Sequence, residues 1–240
     1  MPEPTELEHY EAFLLDLDGV LTPTVELHMR AWRELFEDVF AEHGLAPYRE
    51  DDYFLHLDGR PRFAGVDALM RDRGIALDWG SENDPPEAWT VCGIGNRKNA
   101  TFTEILRVDG IEPYPGSVRL VDWLAQAGVK LAVVSSSRNA EAVLAAAGLR
   151  ERFPVVLDGR SSQELGLRGK PEADTYLRAA ELLGVDPSRA VVVEDAVSGV
   201  AAGAAGDFGL IIGVDRGAGH DALRAAGAHL TVTDLADLLP

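Results

Sequence analysis

The segment AFLLDLDGVLTPT, from Ala12 to Thr24, runs from apolar residues into two aspartates separated by one leucine. A carboxylate at the end of a buried strand is costly unless a cation or a hydrogen-bond donor meets it. Two such groups side by side also repel each other. Other polar groups share this placement after an apolar run: Ser135, Ser136, Ser137, Arg138 and Asn139 after VKLAVV, and Glu194 and Asp195 after AVVV. In GKPEADTY, Lys170 precedes Pro171 and reads as the start of a helix, where backbone N–H groups favour anions. Asp16, Asp18, Glu194 and Asp195 together suit Mg²⁺, a hard cation that takes oxygen ligands, whose charge would offset the cost of the cluster. A carboxylate beside Mg²⁺ can attack phosphorus and form an aspartyl-phosphate. The metal and a lysine would neutralise the transferring group. A second carboxylate two residues on can carry the proton of the entering or leaving oxygen.

These residues act together only if the fold brings the strand ends to one edge. Five runs read as strands covered on both faces: AFLLDL, VKLAVVS, FPVVLDG, AVVVED and GLIIGVD. From the second onward, amphipathic helical patterns separate them, among them PGSVRLVDWLAQAG, NAEAVLAAAGL, PEADTYLRAAELLG and VSGVAAGAAG. Alternating strand and helix predicts an α/β fold with a doubly wound parallel sheet. Ligands of such sheets bind beyond the carboxyl ends of the strands, where all of the residues above would lie. Between the first and second strands the patterns are helical, as in VELHMRAWRELFEDVFAEHG and RPRFAGVDALMRDRG. That stretch is too long for a single crossover. It predicts an inserted helical domain over residues 23–111, with a core formed by residues 1–22 and 112–240.

The 240-residue chain is 46% hydrophobic, enough for a sizeable core, and its net charge of -18 repels nucleic acid and anionic membranes. The single Cys92 excludes an internal disulfide framework. No run is long and apolar enough to span a bilayer, and the acidic start MPEPTELEHYE is unlike a signal peptide, so a cytoplasmic protein is expected. A monomer is the expected state.

DLDGVLT, VVSSS, GKPEADTY and VVVEDAVSG resemble, in order, the four signature motifs of the haloacid dehalogenase superfamily of phosphotransferases. The resemblance implies a Rossmann-like core with a helical cap. It also implies Asp16 as nucleophile, Asp18 as general acid/base and a Mg²⁺ ligand through its carbonyl, and Ser135 and Lys170 as phosphate binders. Asp195 would be a metal ligand. Glu194 would either join it or orient Lys170.

The insertion is similar to that of the β-phosphoglucomutase family within this superfamily. ELHMRAW places His28 and Trp32 on one helix face, HLDGRPR offers Gly59 and Arg62, and GNRKNATF offers Lys98. Carried over, His28 would assist Asp18, Trp32 would line a sugar pocket or sit in the core, and Arg62 would grip the phosphate not being transferred. Lys98, Arg138 and Asn139, with Ser136 and Ser137, would contact sugar and phosphate. A small phosphorylated sugar is the implied substrate, with a sugar-phosphate phosphatase as the alternative activity and a non-catalytic phosphometabolite-binding protein as a third reading. Two residues depart from the family pattern: Pro23 replaces an expected Asp, which would stiffen the hinge, and Gly65 stands where a hydroxyl is expected.

Overall fold

The structure is a computed structural model that describes residues 7, 9–57, 60 and 62–240. The chain divides into two compact units, one reaching through Thr24 and resuming at Ile111, the other spanning Val25–Gly110.

The first unit is built on a sheet of six strands: β1 (Ala12–Leu15), β2 (Lys130–Val134), β3 (Val155–Leu157), β4 (Ala190–Glu194), β5 (Leu210–Val214) and β6 (Leu230–Val232). Their order is β3-β2-β1-β4-β5-β6, and every pairing is parallel. The five expected strands are all present. The sixth was not expected, because Thr231 interrupts the apolar residues of Leu230–Val232, whereas the equally short Val155–Leu157 is an unbroken apolar run.

Register places the chemistry. Leu15 pairs with both Val133 and Val193, so the next residue of each strand brings Asp16 level with Val134 and Glu194. The strand order also reverses at β1, with β2 on one side and β4 on the other, the switch point beside which ligands of such sheets bind.

The helices in chain order are α1 (Thr24–Glu42), α2 (Glu50–Asp52), α3 (Arg62–Asp72), α4 (Val91–Asp109), α5 (Pro115–Gln126), α6 (Ala140–Ala146), α7 (Gly159–Glu164), α8 (Asp174–Leu183), α9 (Val197–Ala205) and α10 (His220–Ala225). In α8, Tyr176, Ala179 and Ala180 fall on one face and join Leu14, Val134, Val192 and Ile211 in the core. Gly184 ends that helix in the left-handed conformation, at φ 64°. Leu14 is fully buried at the centre of the sheet. Leu14→Ala is therefore expected to cost about 2–5 kcal/mol, measurable by denaturant unfolding.

The second unit contains α2–α4 and nearly all of α1, and no strand among its described residues. Its core follows the helical period of α1: Trp32, Leu35, Phe36, Val39 and Phe40 are buried together with Val66, Leu69 and Met70 of α3 and Val91 and Ile94 of α4. Thr90 caps α4 by accepting the Gly93 N–H at 3.0 Å. No helix among the described residues is long and apolar enough to cross a membrane.

Candidate active site

The turn after β1 is set by backbone bonds. The Asp16 N–H donates to Val193 O at 2.9 Å, which continues the ladder one residue past the strand, and Gly19 N–H donates to Thr22 O at 2.9 Å. Gly19 is required here twice over. Its φ is +79°, and a Cβ on it would lie 1.9 Å from Asp195 Oδ2. The close approach of that carboxylate to the Asp16–Asp18 loop thus depends on an absent side chain.

Lys170 is the centre of the site. Its ammonium donates to Asp16 Oδ1 at 2.5 Å, to Glu194 Oε1 at 2.5 Å and to Val134 O at 3.0 Å. Those are the three donors an ammonium has. Burial alone would lower its pKa, but Asp16 and Glu194 outweigh that and hold it well above the ordinary lysine value. The expectation that Lys170 opens a helix is not met. Helix α8 begins only at Asp174, so the lysine sits in the preceding turn and acts through its side chain, not at a helix N-terminus. The Lys170–Pro171 peptide in that turn is cis.

Glu194 is 1% exposed, and its carboxylate is held at both oxygens. Oε1 also accepts from the Tyr176 hydroxyl at 3.1 Å, and Oε2 accepts the Ala196 N–H at 3.0 Å. A Cβ on Gly199 would lie 1.8 Å from Oε1, so α9 can pack against this carboxylate only through a glycine. These contacts hold the Glu194 carboxylate against Lys170.

Asp18 accepts a short hydrogen bond from Thr24, and the Ser135 hydroxyl lies 3.5 Å from its Oδ2, at the outer limit of a hydrogen bond. Ser135 is buried beyond β2, and its Oγ accepts the Ser137 N–H at 3.0 Å. The Ser137 hydroxyl in turn accepts the Asn139 N–H at 3.2 Å. Ser136 is exposed. A Cβ on Gly159 would meet Ser136 O at 2.4 Å and Arg138 Cγ at 3.2 Å, so the loop after β2 rests directly on the start of α7. Ser135, Ser136 and Lys170 are among the residues that line a cavity of about 290 Å³.

Oxygens of Asp16, Glu194 and Asp195 lie within 4.8 Å of one another. Burial, then Glu194 and Asp18, pushes the Asp195 pKa up to about 7. Asp16 is also raised well above the usual carboxylate range, by burial first and by the neighbouring carboxylates, against the pull of Lys170. One lysine does not balance this many acids. An all-oxygen donor set with surplus negative charge fits a hard divalent cation.

The helical unit contributes a separate cluster. Lys98 is 4% exposed, and its Nζ lies 2.6 Å from His28 Nδ1. An ammonium has no acceptor, so Nδ1 accepts and the imidazole proton sits on Nε2. Burial first, then Lys98 and Arg62, lowers the His28 pKa to about 3, so the ring stays neutral. It stacks on Phe102 with centroids 4.3 Å apart. Lys98 Nζ also lies 5.2 Å from the Trp32 ring centroid, and Trp32 is buried against Phe36. Arg62, in the first turn of α3, donates from Nη2 to Asn99 Oδ1 at 2.9 Å. Gly65 is buried, and a Cβ there would meet Leu57 Cδ2 at 3.2 Å. Gly59 lies outside the described residues.

The structure thus joins Asp16, Lys170, Glu194 and Asp195, with Asp18 and Ser135 beside them, and separately joins His28, Trp32, Lys98 and Arg62. Sequence reasoning missed Thr24, Tyr176, Gly199 and Asn99. For Tyr176 a signal existed: a tyrosine six residues after Lys170 falls in the first turn of the helix packed on the sheet.

Comparison with known proteins identifies the family of the chain. The sequence pattern of the haloacid dehalogenase-like hydrolases matches residues 10–207. The chain is 44% identical over 242 residues to β-phosphoglucomutase of Mycobacterium bovis, covering 97% of this chain and 92% of the relative. It is 32% identical over 197 residues to hexitol phosphatase A of Escherichia coli, covering 81% and 79% respectively. Among solved structures, CbbY of Rhodobacter sphaeroides in complex with phosphate superposes with a TM-score of 0.72 at 28% identity, covering 95% of this chain and 96% of that one. The matched span, 10–207, takes in every strand end that carries a polar group of the site, and the chain belongs to the haloacid dehalogenase-like hydrolase family.

Proposed function

We propose that this enzyme is a Mg²⁺-dependent β-phosphoglucomutase, interconverting β-glucose 1-phosphate and glucose 6-phosphate through the 1,6-bisphosphate and an aspartyl-phosphate. The observation that carries the reading is the pairing of two differently built sites in one chain. The α/β unit holds a buried carboxylate locked to a lysine. The helical unit holds a neutral histidine, a buried lysine and an arginine in one cluster. The 44% identity to a β-phosphoglucomutase over nearly the whole chain supports the same reading.

In the first half-reaction, an Asp16 carboxylate oxygen attacks the phosphorus of the bisphosphate. The bond from phosphorus to the sugar oxygen breaks, and Asp18 gives that oxygen its proton. In the second, a hydroxyl oxygen of the sugar monophosphate attacks the phosphorus of the phospho-aspartate and bonds to it, Asp18 takes the hydroxyl proton, and the acyl-phosphate bond between the Asp16 oxygen and phosphorus breaks to return the carboxylate. Lys170 is already ion-paired with Asp16 and so stands beside the phosphoryl group in both states. Glu194 and Tyr176 keep it there. Asp16 and Asp195, with the Asp18 carbonyl, would hold Mg²⁺, which supplies positive charge to the phosphoryl oxygens. His28 offers an Nε2–H donor and Arg62 a guanidinium, the group best shaped to hold a phosphate by paired hydrogen bonds.

The metal assignment has its own test. Asp195→Ala is expected to raise the Mg²⁺ concentration for half-maximal rate by about tenfold or more, and exhaustive chelation should stop turnover. A rate indifferent to chelation would show the carboxylate cluster to have been misassigned. The activity itself is tested by following glucose 6-phosphate formation from β-glucose 1-phosphate with Mg²⁺ and a trace of bisphosphate. Formation that depends on the bisphosphate primer supports the reading, and its absence rejects it.

A further inference from the structure

Helix α4 presents adjacent residues to two different groups of the helical unit. Lys98 turns to His28. Asn99, the next residue, meets the guanidinium of Arg62. We propose that Asn99 is a positioning residue for Arg62, fixing the guanidinium for the phosphate that is not being transferred without adding negative charge beside it. The inference rests on the mutase reading and deepens it, by naming a residue that sets the strength of the second phosphate grip.

A guanidinium only donates hydrogen bonds, so the amide atom that faces Arg62 Nη2 at 2.9 Å is the carbonyl oxygen. That oxygen takes up one N–H direction and so restrains the fork at Nη2. It carries no net charge, whereas a carboxylate at the same place would draw the guanidinium to itself and compete with a phosphate dianion.

The seat for the rest of the arginine lies one turn earlier on the same face of α4. A Cβ on Gly95 would be 2.6 Å from Phe63 Cδ1 and 3.4 Å from Arg62 Cδ, so the start of α3 lies directly against α4 at this glycine. Gly95 and Asn99 are four residues apart and share one helix face. Gly95 admits the arginine stem, and Asn99 orients its head. The Phe63 ring, with its centroid 5.8 Å from Arg62 Cζ, lies close to the guanidinium. Asn99 is half-buried, and an aspartate in its place would be nearly isosteric, so the electrostatic content can be changed with little change of shape.

The test is steady-state isomerisation of β-glucose 1-phosphate primed by the 1,6-bisphosphate, using Asn99→Asp, Asn99→Ala, Arg62→Ala and the two double variants. Glu104→Gln, a surface change on the same helix, is the control. Asn99→Asp is expected to raise the KM for the bisphosphate by about tenfold or more, with kcat at saturation changed by less than about threefold. Asn99→Ala should raise KM by a smaller factor, and it carries the test should the aspartate variant fold poorly. In the Arg62→Ala background both substitutions should add almost nothing, because the group they act through is gone. A wild-type KM in Asn99→Asp and Asn99→Ala overturns the inference. So does a penalty that persists in full without Arg62, since that would mark a packing role in α4. These outcomes presuppose an isomerising wild type. A wild type that forms no isomer removes the mutase reading and this inference with it, whereas normal Asn99 variants in an isomerising enzyme remove this inference alone.

Discussion

Asn in place of Asp16 is expected to leave a folded protein whose turnover falls by at least about 10⁴-fold, the effect of deleting the proposed attacking group of a covalent step. The amide keeps the shape of the carboxylate and can still accept from Lys170, so the sheet end is not disrupted. What it lacks is the negative charge that makes the oxygen a nucleophile toward phosphorus. Asp16 is well suited to be changed without unfolding the protein, because burial and three neighbouring carboxylates already work against its charge. Mass spectrometry of the wild type after exposure to a phosphoryl donor should show one added phosphoryl group, and none in Asp16→Asn. Near-normal turnover in the variant would eliminate the aspartyl-phosphate route.

Arg62→Ala separates the two activities that the family offers. A mutase must hold one phosphate while it transfers the other, then release the bisphosphate and rebind it turned around. A phosphatase needs only the site of transfer. In the proposed mechanism the groups around Asp16 serve the transferring phosphoryl and Arg62 holds the second phosphate. Losing a paired, charge-assisted contact of this kind costs about 3 kcal/mol or more, which is about a hundredfold in isomerisation rate. Hydrolysis of p-nitrophenyl phosphate, which has no second phosphate, should fall by less than about threefold. Equal losses on both substrates would assign Arg62 to the helical unit's stability instead.

Much of this was legible in the sequence because the chemistry sits where periodicity changes. Asp16, Ser135 and Glu194 each interrupt or end an apolar run, and a parallel sheet brings such positions to one edge whatever the details of its helices. β6 escaped because Thr231 breaks its short apolar run, whereas the equally short β3 is apolar throughout. Lys170 was found, but its placement at a helix start was not met, since Pro171 suits a turn as well as a first helical residue. The contacts that hold the site were the least legible. Tyr176 reaches Glu194 from a helix packed on the sheet, Thr24 reaches Asp18 around a loop, and Asn99 meets Arg62 across 37 residues of sequence. Gly199 shows the same limit, because its lack of a side chain matters only once the Glu194 carboxylate is known to occupy that space. Such pairings depend on tertiary packing, which residue spacing does not encode.

The central claim is that the phosphoryl group carried by Asp16 returns to sugar rather than to water. A phosphorus NMR time course on the wild-type protein with β-glucose 1-phosphate, Mg²⁺ and a trace of the 1,6-bisphosphate reads both fates in one tube. The glucose 6-phosphate resonance should grow at the expense of glucose 1-phosphate, the bisphosphate signal should persist at its trace level, and inorganic phosphate should appear much more slowly than either sugar phosphate changes. Growth of inorganic phosphate alone, with no glucose 6-phosphate, would contradict it and identify the chain as a phosphatase.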